Sequence, residues 1–454
     1  MPQNRLNIAY IIEIVAFVYI VLGIVPRWWA LVLAAGIAIY LLIVPLEEGT
    51  LFFIRSIPFF IALPITQNFD SLNTWRIASL ILFAKFIFFE KPKFKLSPLT
   101  LLLLISILSI FVASDQILGV KRIIYFLNIS FIGIILYNLK LKTEDVVHNM
   151  LFPFIAVIIV GVLQVFSTYI FDFDQFMSFW ADRVQYHQYG YHWVQIIFSS
   201  GHTWIAEFAG TLSLRVFSLI TDSHAFPVFA LLGIPALIAS NLRPHWKYLF
   251  LATAFLLIIL SGTRGIWLAS LAGLVCALYF KKFRLHLLTF YLLFIAAFGI
   301  IISPQFHLGG DARLLSRRLS SILDSGETSN TQRLEIWKKS LASIAKHPVL
   351  GVGVGNFPVV LNQDVSKAKA GSSAHNLYLH IAAEMGIPAL IFVLIFFYRF
   401  LQSCYANAHN PYFAALFLYG AWILVYSLVD IALIEERALL FFAATAALAF
   451  RQET

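Results

Sequence analysis

Charged residues are scarce in this chain, and their scarcity excludes most classes of soluble protein. Only 12% of the 454 residues are Asp, Glu, Lys or Arg, whereas 60% are hydrophobic. Soluble domains usually carry about 25% charged residues. Apolar runs of roughly 15 to 25 residues recur along almost the whole chain, which is the length that crosses a bilayer as a helix. The sequence therefore predicts an integral membrane protein, all-α in fold class, with a single polytopic domain over residues 1–454.

Cysteine is also rare, with two residues, Cys276 and Cys404, that lie in or beside apolar segments. This excludes a disulfide framework and a cysteine metal site. The formal net charge is +9, but Lys and Arg in a membrane protein mark topology and contact lipid headgroups. We therefore expect no nucleic-acid partner. The first apolar run, 8–25, lacks a small-residue cleavage site, so we expect an uncleaved first span.

The apolar runs predict about twelve to fourteen transmembrane helices. The predicted spans are residues 7–25, 28–45, 51–65, 74–90, 97–113, 118–137, 146–170, 226–242, 247–261, 264–281, 285–303, 376–398, 411–430 and 437–450. Basic loops such as "KPKFK" and "KKFR" alternate with loops that carry no positive charge, such as "TQNFDSLN". Because positively charged loops remain in the cytoplasm, we expect both termini there.

This topology predicts two long outer loops, at residues 171–225 and 304–375. The first is aromatic and contains Trp180, Tyr186, Tyr189, Tyr191 and Trp193. Such rings either stack on the faces of sugars or form an aromatic belt at the membrane interface, and the sequence leaves both interpretations open.

The second outer loop contains "TQRLEIWKKSLASIAKHP", with apolar residues at helical spacing and basic residues between them. This pattern predicts an amphipathic helix that lies on the membrane surface or over a cavity. The following "GVGVGNF" has neither the spacing nor the preceding strand of a nucleotide-binding loop, so we interpret it as a flexible loop.

Two arginines are predicted at the outer membrane boundary. Arg264, in "SGTRG", lies between two spans, close to the electropositive N-terminus of the second. A phosphate bound there gains both free backbone N–H groups and bidentate arginine contacts. Arg215, in "LSLRVFSLITDSHAF", precedes another span and could close on the same anion. The alternative for each arginine is an interfacial anchor that extends toward lipid headgroups.

A histidine, His375, stands at the start of a span in "GSSAHNLYLHIAAEMG". If Ser372 or Ser373 caps this helix, the helix dipole disfavours the protonated imidazole. A neutral histidine can act as a general base. The alternative is a polar residue that only satisfies backbone groups. His380 and Glu384 are four residues apart on one helix face, where we expect them to neutralise each other.

The run "TQRLEIWKKSLASIAKHPVLGVGVGNF", followed by "SSAHNLYLHIAAEMGIPALIFVL" and preceded by "SGTRG" and "RVFSLITDSHAF", resembles the O-antigen ligase and polymerase superfamily. Its members are polytopic glycosyltransferases of the GT-C type. The ligase pattern is met by His375, Asn376 and Gly386, and departs at Ala389, where Gly, Thr or Tyr is usual. The resemblance implies that His375 is catalytic and that Arg215 and Arg264 bind a diphosphate.

The resemblance also implies supporting roles for Arg333 and Asn376, and a reaction. A glycan would move from a polyprenyl-diphosphate carrier to an acceptor hydroxyl on a lipid or a glycan, with inversion and without a metal or other cofactor. The site would face the periplasm from the bacterial inner membrane. The histidine pattern favours an O-antigen ligase, while a polymerase and a protein O-oligosaccharyltransferase remain open. A small-anion transporter for a bicarbonate-like ion is the alternative from another class, although the chain shows no inverted repeat.

Overall fold

Helices form most of the structure because a helix satisfies its backbone polar groups internally, as a bilayer requires. The computed structural model describes residues 3–65, 72–90, 97–199, 203–208, 211–279, 328–365 and 372–451. The helices of the first part are α1 (Gln3–Val21), α2 (Trp29–Ile43), α3 (Leu46–Ser56), α4 (Thr74–Glu90), α5 (Pro98–Ser109), α6 (Gln116–Asn138) and α7 (Thr143–Ile170).

The segment predicted as the first outer loop, residues 171–225, contains short elements instead of a span. They are α8 (Phe173–Met177), a π-helical turn (Ser178–Gln185), α9 (Tyr186–Tyr189), α10 (Tyr191–Ser199) and the antiparallel strands β1 (Ile205–Phe208) and β2 (Thr211–Leu214). The remaining helices are α11 (Ala225–Ala239), α12 (Pro244–Leu260), α13 (Arg264–Tyr279), α14 (Thr328–Lys346), α15 (Leu377–Ala406), α16 (Pro411–Tyr426) and α17 (Glu436–Arg451).

The prediction of an all-α polytopic membrane fold is confirmed. In the described part of the chain, α1, α6, α7 and α15 are long and apolar enough to cross a membrane, and five more apolar helices are shorter. Each predicted span that begins within the described residues overlaps a helix, whereas the span predicted at 285–303 lies outside them. The largest departure is at 51–65, where α3 ends at Ser56 because Pro58 lacks the N–H that would continue the helix.

The aromatic residues of the first outer loop pack mainly against the protein. Trp180 is buried and its Nε1 donates to Ser167 Oγ at 2.9 Å. The Tyr189 hydroxyl donates to the Leu219 carbonyl at 3.2 Å, and Tyr191 is exposed. Trp180 therefore has no free face for a sugar to stack on.

The glycine-rich segment after α14 is held in place, so its interpretation as a flexible loop is wrong. The backbone N–H groups of Gly355 and Phe357 donate to the Glu384 carboxylate at 3.0 and 3.1 Å. Glu384 therefore does more than neutralise His380, whose Nε2 lies 3.6 Å from Glu384 Oε1. A buried carboxylate requires such donors, and the glycines allow the backbone to approach it.

The predicted amphipathic helix of the second outer loop is α14. Its Trp337 Nε1 donates to the carbonyl of Ala374 at 2.9 Å, so the helix is joined to the chain just before His375. Leu334 and Leu341, whose spacing places them on the same side of the helix as Trp337, are exposed. That this apolar side contacts lipid stays a prediction.

Candidate functional site

Arg215 is held on the turn that precedes α13. Its Nε donates to the carbonyl of Ser261 at 3.0 Å and its Nη2 donates to Thr263 Oγ1 at 3.4 Å. Gly262, with φ +63°, allows the chain to turn between α12 and α13. The Arg215 guanidinium therefore lies beside the N-terminus of α13, although Arg215 precedes that helix by almost fifty residues.

Arg264 is the first residue of α13, as predicted. The start of α13 packs tightly on the end of α16: Trp422 Nε1 donates to the Ile266 carbonyl at 2.6 Å, and a Cβ on Gly265 would lie 2.7 Å from the Val429 side chain. Burial lowers the pKa of Arg215, and the nearby charge of Arg264 lowers it further. Two neighbouring guanidinium groups at a helix N-terminus form a favourable place for an anion.

His375 lies immediately before α15 and not within its first turn. The Asn376 side chain caps α15 by accepting from the Leu379 N–H at 3.0 Å, so the condition of a Ser372 or Ser373 cap is not met. Ser373 Oγ instead accepts from the His375 N–H at 3.3 Å. Asparagine and serine both cap helices well, because a side-chain oxygen of either can accept from the first backbone N–H groups of the helix. Asn376 therefore positions the histidine by fixing where the helix begins.

Burial lowers the pKa of His375, and the charges of Arg333 and His224 lower it further. Asp430 and Asp222 act in the opposite direction. Burial, and not the helix dipole that the sequence suggested, is the main cause of the lowered pKa of His375, but the predicted direction of the change is the same. The imidazole is neutral at neutral pH and able to accept a proton.

Three polar residues that the sequence interpretation did not single out adjoin this site. His224 Nδ1 and Asp430 Oδ2 are 2.7 Å apart. Asp222 Oδ1 accepts from the backbone N–H of His224 at 2.7 Å and from the Thr203 hydroxyl at 2.8 Å. Asp430 interrupts the apolar run "SLVDIALIEER", and a charge in an apolar run is a signal that would have indicated it.

Asp430 remains ionised in this environment. Burial raises the pKa of its carboxyl, but the charge and hydrogen bond of His224, together with the charge of Arg333, outweigh burial and hold that pKa below its usual range. The site thus combines a neutral histidine, ionised Asp430 and nearby arginines. Such a site can bind an anion and accept a proton from a neighbouring hydroxyl.

The lowered pKa of His375 predicts a pH dependence. If His375 is the general base that the resemblance implies, it is active only when unprotonated, so kcat/KM for glycan transfer should fall at acidic pH, with a midpoint below the usual histidine value of about 6.5. Arg333→Gln removes a charge that lowers this pKa, so the midpoint should move to higher pH. A pH profile of both proteins checks this. A wild-type midpoint above the usual value, or no movement in the variant, contradicts the assignment.

Comparison with known protein families identifies one part of the chain. Residues 248–394 match the family described as O-antigen ligase. This part of the chain is therefore similar to O-antigen ligases. A comparison with curated proteins finds no match.

The match supports the predicted superfamily and a membrane glycosyltransferase of the ligase and polymerase type. Together with the apolar helices, it indicates a multi-pass membrane protein. Its range includes Arg264, Arg333, His375 and Asn376. Arg215 lies outside the matched range. If Arg215 and Arg264 act together, the site therefore includes a residue that precedes this range. The roles of these residues stay predictions.

Proposed function

We propose that this protein transfers a glycan from a polyprenyl diphosphate to an acceptor hydroxyl and that it acts as an O-antigen ligase. The reaction would take place at the periplasmic face of the bacterial inner membrane. The observation that supports the proposal is the electrostatic proximity of groups from distant parts of the chain. The charge of Arg264 lowers the pKa of Arg215, and the charge of Arg333 lowers the pKa of His375. The charge of Asp430 raises both of these pKa values.

The donor diphosphate would lie against Arg215 and Arg264, at the N-terminus of α13. Two guanidinium groups and the helix end stabilise the negative charge that grows on the diphosphate as the glycosidic bond breaks. Because polyprenyl diphosphate is already a good leaving group, its departure needs no proton. Arginines would take the place of a metal ion, and we expect transfer without one.

His375 would remove the proton from the acceptor hydroxyl. The hydroxyl oxygen forms a bond to the anomeric carbon, the bond from that carbon to the diphosphate breaks, and the configuration inverts. The proton remains on His375 until it passes to solvent. The negative charge of Asp430 favours the imidazolium that forms, since it raises the pKa of His375.

The histidine pattern favours a lipid A core acceptor over a second lipid-linked glycan or a protein side chain. Purified protein with a polyprenyl-diphosphate glycan and each acceptor class in turn distinguishes the three. Product on the lipid A core alone supports the ligase. Product on lipid-linked glycan or on protein alone replaces it with a polymerase or an oligosaccharyltransferase.

Arg264→Ala should reduce transfer by about 10²–10³-fold, the usual effect of removing one group that stabilises developing negative charge. Arg243→Ala is the matched control, because Arg243 is an exposed arginine at the start of α12, the opposite end from the α12–α13 turn. The control should retain wild-type activity. Undiminished transfer by Arg264→Ala, or transfer that EDTA abolishes and a divalent metal restores, contradicts the proposed arginine site.

A further inference from the structure

Tyr426 is a buried tyrosine that the arrangement above does not use. It is the last residue of α16 and only 1% exposed. Its hydroxyl has no hydrogen-bond partner among the described residues. Buried hydroxyl groups nearly always have a partner, and one that lacks it in the folded protein requires an explanation.

The ring of Tyr426 rests on the start of α13. A Cβ on Gly265 would lie 3.1 Å from Cε2 of the ring, and most Cβ atoms in proteins have no neighbour this close. Gly265 follows Arg264, so this packing directs Tyr426 to the helix end where the two arginines lie. The hydrogen bond from Trp422 to Ile266, one turn earlier on α16, fixes the two helices together.

Charged groups of the candidate site act electrostatically on Tyr426. Arg215, Arg333, Asp222 and Asp430 all lie within electrostatic range of it. Among the described residues, neither carboxylate accepts a hydrogen bond from it: Asp430 is bonded to His224, and Asp222 to Thr203 and the His224 N–H. The hydroxyl is therefore a buried donor without a partner among the described residues, and Arg215 and Arg333 act on it electrostatically.

We propose that Tyr426 is a further substrate-binding residue, whose hydroxyl donates a hydrogen bond to an oxygen of the lipid-linked diphosphate. This inference rests on the proposed function and adds a neutral donor to the arginines. A hydroxyl supplies direction, because it fixes one oxygen of the diphosphate relative to Arg264, whereas the guanidinium groups supply charge.

Tyr426→Phe tests the proposal, because it removes the hydroxyl and keeps the ring that packs on Gly265. The dissociation constant for undecaprenyl diphosphate, measured with purified protein in detergent, should rise about tenfold to a hundredfold, the effect of losing one hydrogen bond to a charged group. KM for the glycan donor should rise while kcat changes little, since the bond is present before and during the reaction. Without ligand, the variant should melt at the wild-type temperature or above it.

Tyr412→Phe is the matched control, since Tyr412 is an equally buried tyrosine of α16 whose hydroxyl contacts the Met150 sulfur, away from the site. It should bind the lipid as wild type does. If Tyr426→Phe binds undecaprenyl diphosphate with wild-type affinity, the inference is wrong. It is also wrong if the variant melts at a lower temperature than wild type and the loss of binding matches the loss of folded protein, because the hydroxyl is then structural. If the wild type itself does not bind undecaprenyl diphosphate, the proposed function fails and this inference with it.

Discussion

His375→Ala should lower the rate of glycan transfer by about 10²–10⁴-fold, the usual contribution of a positioned general base. The loss should appear in kcat, because the imidazole accepts its proton during bond formation and does not hold the donor. A transfer assay with purified protein and saturating donor measures it. Binding of undecaprenyl diphosphate should be nearly unchanged in the same variant, since Arg215 and Arg264 remain.

The control for this variant is His409→Ala, which removes an exposed histidine between α15 and α16. It should transfer glycan at the wild-type rate. Both variants should elute as the wild type does in size-exclusion chromatography, which separates a chemical effect from misfolding. A His375→Ala protein that is folded and transfers at the wild-type rate would remove the base assignment and leave the arginine assignment untouched.

Gly386→Ala should destabilise the protein by about 2–4 kcal/mol, from the strain of a positive φ and from overpacking. Gly386 has φ +85°, and a Cβ there would lie 2.1 Å from the carbonyl oxygen of Val349. Backbone atoms cannot move aside as a side chain can, so the segment bound to Glu384 must separate from α15. The melting temperature in detergent should fall sharply, and the yield of folded protein with it.

Gly36→Ala provides the comparison, because Gly36 lies inside α2 and nothing is within 4 Å of a Cβ placed there. Alanine is favoured over glycine in a helix interior by roughly 0.5–1 kcal/mol, so the melting temperature should stay the same or rise. An unchanged melting temperature in Gly386→Ala would mean that α15 and the glycine-rich segment are not packed as described.

The positions of the spans followed from the sequence because bilayer thickness fixes the length of an apolar run. The end of α3 before Pro58 did not follow from the sequence in this way. The apolar run there has the length of a span, and only the proline indicates that the helix is interrupted. The arginines and His375 were identified by resemblance to a family. The glycine-rich segment was misinterpreted because its partner, Glu384, lies some thirty residues further on and no local pattern connects them.

The His224–Asp430 pair could not be predicted in the same way, because its members are 206 residues apart and meet only in the folded protein. Periodicity describes the face of one helix and not which helices are neighbours. The cap of α15 is Asn376 and neither of the two serines that the sequence offered as candidates. Both residue types cap helices well, so only the position at which α15 begins distinguishes them.

The backbone at His375 has φ +45°, a left-handed conformation that costs a residue with a Cβ roughly 1–2 kcal/mol. Glycine would relax there, so His375→Gly should be a more heat-resistant protein than His375→Ala, although neither retains the imidazole. Thermal tolerance and turnover thus make opposite demands on this single position.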